Sequence, residues 1–320
     1  MEKIISIVTP TYNYGHFIEE TINSVLNQEG DFYIDYIVVD GGSSDSTIEI
    51  LKRYEDKIKN NSRKTNLQGL VFYSYSKNLG ISFRWISEKD RGHFDALNKG
   101  FAKSVGSILA WINSDDKYHL GAFKTVIDIF NEFNSVEWLT GKNSWWNKEG
   151  ELTYSASYYN NVYNFLLNNY IFIQQESTFW RRSLWENTGG KINENYKLMV
   201  DGELWCRFFT LTELFHVDDM LGGYRTHDTN RAKTQFQEVL SEMDLAIKNQ
   251  KESISSDTTA KANRLYKVKW IFERSPKILK KIITFMNSIL FRYSSYKVII
   301  KKNNEWNIEN KSFRLNDVTR

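Results

Sequence analysis

Two adjacent carboxylates, Asp115 and Asp116, follow Asn113 and Ser114 at the end of the apolar run Ser107–Ile112. Side by side they repel one another, which costs folding energy unless a cation compensates them. A hard divalent ion, magnesium or manganese, would do so and would hold phosphate oxygens at the same time. The plainer account is a helix start, with acids near the positive end of the next helix. Asp40 ends another apolar run and opens Asp40-Gly41-Gly42-Ser43-Ser44-Asp45-Ser46-Thr47, where glycines allow tight turns and Ser or Asp caps a helix. In a ligand site Asp40 would accept from a base or ribose; otherwise the segment is a well-made strand-to-helix loop. It lacks the Walker lysine and the GxGxxG order, which disfavours both of those phosphate grips. Asp201, ahead of the helical Glu203–Phe209, reads by itself as a helix N-terminal acid. His227 reads by itself as a loop histidine.

Strand and helix signals alternate through the first half, which predicts an α/β fold with a mostly parallel sheet covered by helices. Polar loops fall where strands end, the edge at which such sheets bind ligands. Four segments distant in sequence therefore point towards one crevice: Thr9–Asn13, Asp40–Asp45, Asp90–Asn98 and Asn113–Asp116. Lys57–Gly80 reads as a loop-rich insertion with a short strand at Leu70–Tyr75. From Lys233 onward the chain reads as helical. There Ile278, Leu279, Ile282, Ile283, Phe285, Met286, Ile289 and Leu290 make an apolar face beside Lys277, Lys280 and Lys281. The stretch is shorter than the ~20 apolar residues of a membrane span. It suits either the surface of an anionic membrane or packing on the body.

Hydrophobic residues at 41% and charged residues at 25% are those of a globular protein. Cys206 is the only cysteine, which excludes an intrachain disulfide, suggests a reducing compartment, and reads as a buried small hydrophobe. The chain starts straight into a strand-like run, and nothing in it suggests secretion. Net charge is +3, yet Lys261–Lys302 holds twelve Lys/Arg against Glu273 alone, leaving the remainder at −8. Most of the ten tryptophans read as core.

Six segments in order give the chain its resemblance to family 2 glycosyltransferases. They are Val8–Asn13, Val38–Thr47, Ser87–Gly92 with Asp95–Gly100, Trp111–Asp116, Gln174–Arg182 and Asp201–Trp205, within roughly residues 3 to 230. The resemblance implies a GT-A fold, a Rossmann-like mixed sheet flanked by helices, with a helical C-terminal extension. It implies a catalytic domain over 1–230, its nucleotide-binding half about 1–117 and its acceptor half about 118–230, and a basic extension over 231–320. It also implies a nucleotide-diphosphate-sugar donor, UDP being the expected nucleotide, and a divalent metal, manganese or magnesium.

By the same resemblance Thr9, Pro10, Thr11 and Tyr12 line the nucleotide base, from which Asp40 accepts a hydrogen bond. Asp90, Asp95, Asn113 and Ser114 complete the nucleotide-sugar site. The family's metal motif often opens with Asp where this chain has Asn113, which leaves Asp115 and Asp116 as the metal residues with His227 nearby. Asp201 lies where the family keeps its catalytic base, a carboxylate that takes the acceptor's proton during an inverting in-line attack. Trp180 and Arg181, or Trp145 and Trp146, would floor a sugar. The implied reaction serves surface-polysaccharide or glycolipid assembly, on a glycan or lipid-linked acceptor, in the cytoplasm or on the inner face of the membrane.

Two other classes compete. A nucleotidyltransferase would need a glycine- and lysine/arginine-rich loop after the first strand, where this chain has Thr9–Asn13. A non-catalytic glycan-binding protein would have no need to keep Asp40, Asp115, Asp116 and Asp201. No nucleic-acid motif accompanies the basic tail.

Overall fold

The run Ile4–Thr11 (β1) is apolar almost throughout because it is buried on both faces, as a central parallel strand must be. It lies between β2 (Gly30–Asp40) and β6 (Ile108–Trp111), parallel to both. The computed structural model describes residues 3–60, 63–228, 230, 234–313 and 315. Helices α1 (Ile18–Leu26), α2 (Thr47–Lys59), α3 (His93–Lys103) and α4 (Ala122–Glu132) turn their apolar stripes into the same core. Close approach of α3 to β1 requires Gly100, where a Cβ would stand 2.3 Å from Val8 Cγ1.

The strand β5 (Asn78–Ser87) runs parallel to β2. Beyond it an antiparallel hairpin, β3 (Lys64–Leu67) and β4 (Leu70–Tyr73), ends the sheet, so the insertion holds two strands where one is expected. On the other side of β6 come β11 (Thr178–Arg181), β8 (Trp138–Thr140), β12 (Phe215–Val217), β14 (Tyr296–Lys302) and β15 (Glu305–Lys311). Antiparallel pairing of β11 with both neighbours makes the sheet mixed. A smaller sheet joins β10 (Leu152–Ala156), β9 (Asn143–Trp146), β13 (Gly222–Arg225) and β7 (Lys117–Tyr118) in that order.

The core between β6, β8, β11 and α7 (Val200–Leu211), the helix that follows α6 (Arg182–Asn187), is aromatic. Trp205 of α7 stacks on Trp111 at 5.9 Å and on Trp138 at 5.5 Å, and Trp180 meets Trp111 edge-on at 5.5 Å. All four are fully buried, and their indole N–H groups have no acceptor among the described residues. Leaving such groups unmade costs about 1–3 kcal/mol each, which the buried ring area must outweigh. Cys206 is buried beside them.

The expected boundary near residue 230 does not coincide with a break in packing. Val239, Met243, Ala246 and Ile247 of the helix Phe236–Ser253 belong to the main core, and a Cβ on Gly202 of α7 would stand 2.5 Å from Met243 Sδ. The helices Ser256–Arg274 and Lys277–Leu290 join a second core with α5 (Val162–Leu166) and β14. The helical extension is therefore present, and β14 and β15 are strands that helical periodicity does not anticipate. Among the described residues no helix is long and apolar enough to cross a membrane.

Removing the indole at the centre of the aromatic stack tests its weight. Trp205→Ala is expected to cost about 3–5 kcal/mol in urea denaturation. A loss below 1 kcal/mol would mean that the stack is not central to stability.

Candidate active site

The loops that follow β1 and β2 are bound to each other. Asn13 adopts a left-handed backbone, φ 57°, and its N–H donates to Ser43 Oγ at 2.7 Å while its Oδ1 accepts from Ser44 N at 2.8 Å. Gly15 N donates to Asp45 Oδ2 at 2.8 Å. Asp40, without solvent exposure, accepts at Oδ2 from Gly42 N (3.0 Å), Ser43 N (2.9 Å) and Ser87 Oγ (2.7 Å), and at Oδ1 from Ser43 Oγ. A carboxylate offers about four lone-pair sites, so Asp40 spends most of its accepting capacity on shaping its own loop.

Above these loops Tyr12 is 59% exposed, Thr9 is buried against the Tyr36 hydroxyl at 3.1 Å, and Thr11 Oγ1 is buried with no partner among the described residues. Asp90 lies against Gly41, where a Cβ would meet its Oδ2 at 2.8 Å. Asp95, in the first turn of α3, pairs with Arg91 at 2.9 Å and Lys99 at 3.3 Å. Burial opposes its ionisation, and these cations with the Arg91 N–H outweigh burial and hold its carboxyl below the usual range.

At the end of β6 the chain turns through Asn113–Asp116. His93 at the start of α3 meets Asn113 Oδ1 at 3.0 Å, and Asn113 Nδ2 donates to Asp116 Oδ2 at 3.2 Å. Thr21 of α1 donates its hydroxyl to the carbonyls of Ser114 (3.0 Å) and Asp116 (2.7 Å). The end of β13 clamps the turn from the opposite side. Arg225 N donates to Asp116 Oδ1 at 2.7 Å, its Nε to the Asp115 carbonyl at 2.6 Å, and its Nη2 to Glu20 at 2.8 Å. Two residues on, His227 Nε2 lies 2.9 Å from Asp115 Oδ2.

A third carboxyl enters from the turn Gln175–Ser177 before β11. Glu176 is buried against Asp116, and Gly222 permits the approach, since a Cβ there would stand 2.0 Å from the Glu176 carbonyl. Burial first, then the charges of Glu176 and Asp115, push Asp116 well up. Burial likewise raises Glu176 to about 7, with the Asp201 and Asp115 charges adding to it. Two carboxyls this close share a proton, which favours Asp116.

Asp201 opens α7, partly exposed, within electrostatic reach of Glu176. Burial raises its pKa to about 6, opposed by the N–H groups of Gly202 and Asp201 and reinforced by Glu242. Glu242 lies on the helix Phe236–Ser253 and accepts from the N–H groups of Leu198 and Met199, each at 2.9 Å, and of Lys197 at 3.1 Å. It thereby caps the approach to α7 from outside the local sequence.

The sequence-derived residues thus divide. Asn113, Asp115, Asp116 and His227 gather at the ends of β6 and β13, with Asp201 near. Thr9, Pro10, Thr11, Tyr12, Asp40 and Asp90 gather at the ends of β1, β2 and β5. Trp180 is corrected: fully buried between Trp111 and Trp205, it has no face for a sugar. Arg181 is also spent elsewhere, donating to the carbonyls of Val136 at 2.8 Å and Phe130 at 2.7 Å. Sequence reasoning passed over Glu176, Arg225 and Glu242. Glu176 stands within Gln174–Arg182, so its acid beside two glutamines was a usable signal; the other two had none.

The family model described as glycosyl transferase family 2 matches residues 6–186. An uncharacterized glycosyltransferase of Mycoplasma genitalium is 34% identical over 83 residues, 26% of this chain and 26% of its own length. The putative teichuronic acid biosynthesis glycosyltransferase TuaG of Bacillus subtilis is 41% identical over 54 residues, 17% of this chain and 21% of its own. The chain thus matches about a quarter of the length of these curated relatives. S. aureus TarS 1–349, solved with UDP-GlcNAc, superimposes with a TM-score of 0.55 at 13% identity over 98% of this chain and 99% of that one. A Pyrobaculum calidifontis mannosyltransferase solved with GDP-Man and Mn2+ gives 0.52 at 15% identity, covering 76% and 65%. At such identities the likeness establishes the GT-A fold.

Glu176 holds its proton more tightly folded than unfolded, so the stability it contributes is full below about 4.5 and is lost as pH climbs to about 7. In metal-free buffer, Glu176→Gln is expected to match the parent at pH 4.5 and to exceed it at pH 8 by on the order of 1–3 kcal/mol. Urea denaturation at both pH values reads the difference. A gap that does not widen with pH would contradict the assignment.

Proposed function

This chain belongs to glycosyl transferase family 2, and we propose that it moves a sugar from a nucleotide-diphosphate-sugar to an acceptor hydroxyl with inversion at the anomeric carbon. The observation that carries this reading is the meeting of Asp115 and His227 at the sheet's ligand-binding edge, with Asp201 within electrostatic reach of the neighbouring Glu176.

The nucleotide-binding half, about 1–117, takes the base against exposed Tyr12 and the Thr9–Thr11 segment. The buried Thr11 hydroxyl, which has no partner among the described residues, supports this, since a ligand group would satisfy it. Asp40, buried and already accepting four hydrogen bonds, shapes the pocket from behind, while Asp90, Asp95, Asn113 and Ser114 border ribose, sugar and diphosphate. UDP is the proposed nucleotide, the TarS neighbour having been solved with UDP-GlcNAc.

A divalent cation suits the residues present. Among the described residues no three His, Cys, Asp or Glu side chains form a protein-only cage. Asp115 Oδ2 and His227 Nε2, however, lie 2.9 Å apart. That spacing would let a carboxylate oxygen and an imidazole nitrogen hold one divalent cation together. Asp116, its carboxyl raised by burial and turned to Arg225 and Glu176, would support the turn behind them. When bound, the ion would neutralise charge on the departing diphosphate.

Asp201 is the proposed base. A carboxyl raised to about 6 is ionised at neutral pH yet basic enough to take a hydroxyl proton. The half about 118–230 supplies the acceptor side, for a glycan or lipid-linked glycan in surface-polysaccharide or glycolipid assembly. The likeness to TuaG supports that class. We place the protein in the cytoplasm, at the inner face of the membrane.

With UDP-sugars and Mn2+, nucleoside diphosphate release is expected to rise with pH through about 6, as Asp201 loses its proton. Asp201→Asn is expected to lower turnover about 100- to 10,000-fold and abolish that limb, with donor affinity kept. Unchanged turnover rejects Asp201 as the base, and pyrophosphate in place of nucleoside diphosphate rejects glycosyl transfer.

A further inference from the structure

The helix Lys277–Leu290 is amphipathic, yet it is docked with its apolar side outward. Ile278, Ile282, Met286, Ile289 and Leu290 recur at helical spacing, and each is exposed, from 49% for Ile282 to 79% for Ile278. Its inward side carries half-buried Ile283 and buried Asn287, whose Nδ2 donates to the Phe313 carbonyl at 3.3 Å. In water this arrangement is unfavourable, because burying the opposite face would remove more apolar surface. The preceding helix, Ser256–Arg274, adds Tyr266 and Trp270, exposed by 60% and 50%. Patches of this extent mark a surface that something else covers.

We infer that these two helices form a platform that seats the protein on an anionic lipid bilayer. Charge decides between occupants. Lys267, Arg274, Lys277 and Lys281 are exposed along the two helices, and the Arg274 guanidinium lies 4.3 Å from the Trp270 ring. The segment Lys261–Lys302 carries twelve cationic side chains against one acid. Anionic headgroups complement such a field, each nearby cation adding about tenfold or less to binding. A second copy docked face to face would bring two such segments together, and like charges oppose that contact. Aromatic rings beside basic side chains also suit the headgroup boundary, where one end of a residue is apolar and the other wet. The helices would lie in the interface rather than cross it, being too short and too charged to span. This inference rests on the proposed function only for its purpose, which is to bring the crevice to a lipid-linked acceptor; the seating itself stands on the two helices.

The test is co-sedimentation of the full chain with vesicles of phosphatidylcholine alone or with about one-third phosphatidylglycerol. The parent is expected to pellet at least about tenfold better with the anionic vesicles, and less in high salt. Ile282→Glu with Ile289→Glu is expected to abolish binding while circular dichroism stays unchanged, both side chains being half exposed on the outward face. Lys277→Gln with Lys281→Gln is expected to weaken binding about ten- to thirtyfold. A folded parent that stays in the supernatant overturns the inference. So does a dimer seen in sedimentation velocity without lipid that the Glu pair dissociates, which would assign the face to a second copy. Sugar transfer to a soluble acceptor, measured on the same samples, separates the two claims. Vesicle binding without transfer keeps the platform and rejects the reaction, and transfer without vesicle binding does the reverse.

Discussion

A guanidinium with no contact to solvent holds the candidate site together. Arg225 ends β13 and reaches three pieces of chain that are otherwise unrelated: the carbonyl of Asp115, the carbonyl of Lys148 at 2.9 Å, and Glu20 of α1. Its ring partner is Phe17, 5.0 Å away. A buried charge is costly unless every donor is met, and here the partners meet the cost together. The acids at the end of β6 are fixed by those contacts and not by the strand alone. His227 stands opposite Asp115 because it comes two residues after that anchor.

Crowding of Asp115, Asp116 and Glu176 is the second half of the same constraint. Without a cation, the group cannot hold full negative charge in a buried setting, and the raised pKa values of Asp116 and Glu176 express that. The arrangement therefore stores an electrostatic demand at the point where the sheet opens to solvent. A divalent cation would answer it. Asp201 stands on α7, where burial first and Glu242 after it raise its carboxyl, and its charge adds to the crowding at Glu176.

Elements whose burial is uniform were legible in the sequence. β1 and β6 are apolar runs buried on both faces, β2 and β5 are buried through their middle residues, and α1 to α4 carry stripes at helical spacing, so the crevice between their loops followed from order alone. The edge hairpin β3–β4 was harder, because exposed Lys64, Thr65 and Asn66 give no alternation to read. Trp180 misled for a related reason: a tryptophan beside an arginine has the composition of a sugar platform, and only tertiary packing reveals that four indoles form the core. Arg225 and Glu242 act across long separations, which no local pattern encodes. The strands β14 and β15 lay in a lysine-rich stretch whose neighbours are helical, and the burial of β14 has no clean period of two.

The central claim is that Asp115 and His227 share a cation that grips the leaving diphosphate. The direct measurement is an anomalous difference map from a crystal soaked with UDP and Mn2+. The account predicts a peak bonded to both Asp115 Oδ2 and His227 Nε2 and to phosphate oxygens, lost in Asp115→Asn. A UDP-bound crystal with no manganese at that pair, or with manganese bound elsewhere, would contradict it.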